Sequence, residues 1–64
     1  MKKEIMQKYF DSYMTCSPDV LKQSISTYAE MYNYHFQNGN EKMKNSALTK
    51  LALAMCAKRN RNIK

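Results

Sequence analysis

A chain of 64 residues with a net charge of +6 has room for one domain and a small core, since a protein of this size buries only about 60% of its unfolded surface. Two cysteines and one histidine are too few for a disulfide scaffold or a zinc site, and no apolar run approaches the roughly 18 residues of a membrane span. The charge is lopsided: residues 1–32 balance four Lys against four acids, whereas residues 33–64 set seven Lys or Arg against Glu41 alone, an asymmetry that points to an acidic partner.

From residue 3 to 15 the apolar side chains fall in pairs every four positions: Ile5 and Met6, Tyr9 and Phe10, Tyr13 and Met14. That period predicts an amphipathic helix with a broad apolar face. Thr15-Cys16-Ser17-Pro18-Asp19 then reads as a stop and a restart. Ser17 suits the N-cap, Pro18 the first helical position and Asp19 the positive end of the helix dipole.

A second helix is expected over 18–37, with its core stripe at Leu21, Ile25, Tyr28, Tyr32 and Phe36. Asn38-Gly39-Asn40 holds the chain's one glycine where a helix wants a left-handed residue beyond its end. Asn40 can cap a third helix over 41–58, whose inward face is predicted to run Met43, Ala47, Leu48, Leu51, Ala54 and Met55, with Lys44 intruding on it. Leu53 and Ala57 are expected on its outer side.

The predicted fold is therefore all-α, three helices in up-down-up order, because short connections make sequential helices antiparallel. The alternative within the class is a helical hairpin carrying a short extra N-terminal helix. In either form the thin core favours self-association into a bundle. Residues 60–64 lack periodicity and are expected to fray as a basic tail. In the up-down-up order Cys16 and Cys56 come to the same end of the molecule; the compartment expected for the protein, the cytoplasm, keeps such thiols reduced.

For function, no nucleophile motif, glycine-rich loop or paired carboxylate accompanies His35, so no enzyme, cofactor, metal or small-molecule substrate is expected. Leu51 to Ala57 forms seven consecutive apolar residues, more apolar circumference than one bundle face can use. The leading expectation is a small regulatory or accessory protein that binds stoichiometrically through a helix face, as a homodimer and to another protein with an acidic surface. Leu53, Ala57, Tyr34 and Met31 would form the interface. The alternative is a DNA- or RNA-binding regulator whose phosphate contacts come from Lys50, Lys58, Arg59, Arg61 and Lys64. Below both stands a cationic peptide lying on a membrane surface.

Overall fold

The structure, a computed structural model, describes residues 2–63. It holds three helices, α1 (Lys3–Thr15), α2 (Pro18–Gln37) and α3 (Glu41–Asn60), the all-α architecture the sequence predicts. Each boundary has a local cause. Ser17 Oγ accepts from the Val20 N–H at 3.2 Å and Pro18 opens α2. Asn40 Oδ1 accepts from the Met43 N–H at 3.2 Å.

Both long helices close in the same way. After α2, Gly39 takes φ +72°, its N–H donates to Phe36 O and that of Asn40 donates to His35 O. After α3, Asn62 takes φ 57°, its N–H donates to Arg59 O and that of Ile63 to Lys58 O. These are Schellman closures, in which one left-handed residue lets two orphaned carbonyls find donors. Residues 61–63 of the expected basic tail take part in this second closure. It carries Ile63 back against the core cluster that contains Ala57, the apolar contact that accompanies this motif. Lys64 lies outside the described residues.

Three cross-helix contacts give the directions. Lys44 stands over the Phe36 ring, Lys50 over both Tyr28 and Tyr9, and Arg61 meets Tyr13. As residue number rises along α3 it falls along α2 and rises along α1, so the order is up, down, up. The helices do not pack equally: α3 lies mainly along α2, less along α1, and α1 hardly touches α2. The arrangement is a helical hairpin with α1 docked on its third helix, only 14 Å through its thinnest dimension.

A flat arrangement makes a thin core. Tyr13, Leu21, Ala47, Ala54 and Ala57 are buried, and among the described residues Leu21 is the one large side chain fully so. On α3 the buried positions are all alanines, at spacings of seven and three. Small side chains let the helix axes approach, and the volume is filled from the neighbours by Leu21 and Tyr13.

This seam corrects the predicted orientation of α3. At 3.6 residues per turn, the face centred on Ala47, Ala54 and Ala57 is rotated by roughly 60° from one centred on the Leu and Met positions. Leu48 and Met55, expected inside, are 45% and 55% exposed; Met43, also expected inside, stays on the seam side but in the first turn, where it is 42% exposed. Leu53 and Ala57, expected outside, turn inward: Ala57 is fully buried and Leu53 packs against the core. Phe36, expected in the α2 stripe, is likewise exposed, one face covered by Lys44 at 5.5 Å.

Candidate interaction surface

The rotation of α3 sorts its residues into two sets with different chemistry. The inward set includes two lysines that the apolar pattern alone would exclude. Lys44 Nζ pairs with Glu41 Oε2 at 2.9 Å and stands over the Phe36 ring, 5.5 Å from its centroid. Lys50 Nζ sits 5.1 Å from the centroid of Tyr9 and 5.8 Å from that of Tyr28. The ammonium thereby bridges α1 and α2, which scarcely touch otherwise, and ring quadrupoles replace part of its lost water.

Arg61 is also turned inward. Its Nη1 donates to the Tyr13 carbonyl at 2.8 Å and approaches Cys16 Sγ at 3.9 Å. Helix α1 ends at Cys16 in an extended conformation and has no basic residue in its last turn. The guanidinium supplies the strong donor there, beside the weak Cys16 thiol at 3.5 Å, and the missing positive charge.

Beside this contact Tyr13 is 6% exposed, and its hydroxyl is the one buried side-chain polar atom among the described residues without a hydrogen-bond partner. Burial first, and then the nearby Tyr28 hydroxyl, push the Tyr13 phenol upward from its ordinary value. The Tyr28 hydroxyl acts on that ionisation from nearby.

These placements redistribute the candidate residues. Of the cationic set, Lys50 and Arg61 are engaged within the fold, Lys58 is half-buried, Arg59 is exposed, and Lys64 lies outside the described residues. Of the interface set, Ala57 has no surface to offer and Leu53 is partly covered by the core. Met31 is half-buried. Tyr34 is 64% exposed, its ring edge-on to His35 at 5.2 Å, but it stands on α2 and shares no face with α3 residues 53 and 57.

The outer face of α3 gathers a different group: Leu48 and Met55, expected in the core, Arg59, expected as a phosphate contact, and Glu41, Asn45 and Ala52, which the sequence places at no site. Glu41, Asn45, Leu48, Ala52, Met55 and Arg59 are all exposed, and they recur at spacings of 4, 3, 4, 3 and 4. Such spacing draws one straight stripe along a helix, on the side opposite Ala47, Ala54 and Ala57. Its middle is apolar, one end carries a carboxylate and the other a guanidinium. The signal that could have found it was this alternation of fours and threes, hidden because residues 51–57 are apolar on every side.

Two open grooves complete the surface. One, about 400 Å³, is lined by Lys42, Asn45, Ser46 and Thr49, and the other, about 340 Å³, by Ile5, Lys8, Tyr9 and Ser12. Among the described residues, no three His, Cys, Asp or Glu side chains cluster as metal ligands would, and no helix is long and apolar enough to cross a membrane. Cys16 and Cys56 are both free, Cys16 half-buried and Cys56 exposed.

The chain's total accessible surface is 4834 Å², whereas a folded monomer of this mass, 7.6 kDa, exposes about 4300 Å². No protein-family model, no curated protein and no solved structure matches the chain.

Proposed function

We propose that this chain is a non-catalytic regulatory or accessory protein of the cytoplasm, which acts by stoichiometric binding through a helix face and does so as a self-associating module. The observation that carries the reading is the stripe on α3, with Leu48 and Met55 about half exposed on the side away from the core. An outward Leu is ordinary on its own. An outward Leu, Ala and Met in register, on the central helix of a chain with surplus surface, make a docking face.

The basic second half adds a steering charge toward an acidic partner surface. The nucleic-acid reading is second, resting on exposed Arg59 beside half-buried Lys58. It has less to draw on, because Lys50 and Arg61 hold the helices together. Two free thiols suit a reducing compartment.

Photocrosslinking in cells tests this directly. A photoreactive side chain at position 55 is expected to give a discrete protein adduct that Leu48→Asp abolishes, while the same probe at Gln23 on α2 gives none. Adducts to nucleic acid would favour the second reading. Equal labelling from positions 55 and 23 would remove the docking face.

A further inference from the structure

The stripe on α3 has an internal symmetry. Glu41 and Arg59, Asn45 and Met55, and Leu48 and Ala52 are three pairs placed at equal distances on either side of residue 50. A helix with that pattern is complementary to itself when reversed. From this we infer that the partner of the α3 outer face is a second copy of this chain, joined by a two-fold axis near residue 50, with the two α3 helices antiparallel.

In that pairing Leu48 of one copy lies in a layer with Ala52 of the other, a large side chain against a small one. Asn45 meets Met55, and Glu41 meets Arg59. The spacings of 4 and 3 alternate so that every layer joins an a-type to a d-type position, the layer composition of antiparallel coiled coils. A parallel pair would instead set Glu41 against Glu41 and Arg59 against Arg59, two like-charge contacts that discriminate against it. Leu51, half-buried on the flank of the stripe, would come close to its own mate across the axis.

Charge supports the second copy over an unrelated protein. The stripe ends are oppositely charged and 18 residues apart, about 27 Å along the helix, so one antiparallel pairing satisfies both ends of both chains. Glu41, whose carboxylate is held by Lys44 at 2.9 Å and whose side chain is still 73% exposed, keeps room for Arg59 of the other copy.

The inference rests on the α3 face being the docking surface, and its test separates the two. In a Cys16→Ser, Cys56→Ser background, chains carrying Asn45→Cys and Met55→Cys are mixed in equal amounts, one with a mass tag, and oxidised. A disulfide needs Cα atoms within about 7 Å. In the antiparallel dimer positions 45 and 55 of opposite chains share a layer, whereas like positions are about 15 Å apart along the axis. The expected product is the mixed disulfide, several-fold in excess of either homodisulfide.

Predominant homodisulfides would overturn the antiparallel pairing yet leave the face as an interface. No disulfide, with sedimentation showing a monomer, would overturn the second copy as occupant and leave the photocrosslinking result to judge the face. Charge exchange gives an independent readout. Glu41→Arg chains and Arg59→Glu chains are each expected to lose self-association, and their mixture to recover a heterodimer. Recovery by neither mixture nor a doubly exchanged chain would contradict the pairing.

Discussion

Arg61, 48 residues away from Tyr13 in the chain, donates a 2.8 Å hydrogen bond from Nη1 to the Tyr13 carbonyl. One side chain thereby finishes a helix other than its own. The Schellman turn at Asn62 holds α3's last residues in place, and the guanidinium uses that fixed base to reach the end of α1. Removing it leaves the part-buried carbonyl only the weak Cys16 thiol, at 3.5 Å, as a donor. Arg61→Ala is expected to lower stability by about 1.5–3 kcal/mol, the range for a charge-assisted bond. Hydrogen exchange should speed up more in α1 than in the α2–α3 hairpin; uniform loss across the chain would mean that Arg61 does not anchor α1 in particular.

Tyr13 carries a hydroxyl without a partner in a core this small. Tyr13→Phe keeps the ring and removes the unsatisfied group, so it is expected to leave stability unchanged or raise it by about 1 kcal/mol. The ionisation has a definite sign. The folded-state pKa is raised above the ordinary 10.0 by burial and then by Tyr28, so the native state retains a proton that the unfolded state releases. The stabilisation is complete below pH 10 and is lost as pH climbs through the folded value. Denaturant titrations on either side of pH 10 should show a steeper decline for the wild type than for Tyr13→Phe. Parallel declines would contradict the assignment.

Lys50 is set between Tyr9 and Tyr28. Lys50→Met keeps an apolar stem and discards the cation, with an expected loss of about 0.5–2 kcal/mol. If the contact between the ammonium and the rings is what matters, Tyr9→Leu and Lys50→Met will be less than additive in a double-mutant cycle. Full additivity would reduce Lys50 to an aliphatic filler.

The two faces of α3 predict opposite outcomes for the same substitution. Leu53→Asp puts a carboxylate against the cluster of Tyr13, Leu21, Ala54 and Ala57 and is expected to unfold a chain this marginal. Leu48→Asp and Met55→Asp, on the exposed stripe, should leave monomer stability within about 0.5 kcal/mol. Thermal melts at low protein concentration distinguish them. Similar losses at positions 48 and 53 would mean that α3 is turned differently from the seam described above.

Much of the fold was legible because helix ends are written in residues of restricted use. Ser17-Pro18-Asp19 and Asn38-Gly39-Asn40 mark their boundaries by capping chemistry and backbone conformation, both of which operate within a few residues. The orientation of α3 was not legible in the same way. Hydrophobic periodicity weights Leu and Met above Ala, whereas the seam is formed by Ala47, Ala54 and Ala57 because they admit the axes of α1 and α2. Lys44 and Lys50 count against burial in any apolar pattern; only the presence of Phe36, Tyr9 and Tyr28 across the gap accounts for them. Arg61 and Ile63 looked like part of a loose tail, since the positive φ that Asn62 adopts is one that asparagine tolerates without demanding. The exposed large apolar side chains on the outer side of α3 are Leu48 and Met55, whereas Leu53 and Ala57, expected there, face the core.

Sedimentation equilibrium of the wild type beside Met55→Asp tests the central claim that this stripe is a binding face for the chain itself. The expected result is a concentration-dependent rise from 7.6 kDa toward twice that mass for the wild type, and a single monomeric species for Met55→Asp with unchanged helical content. A wild type that stays monomeric at high micromolar concentration, or a variant that dimerises as well as the wild type, would contradict it.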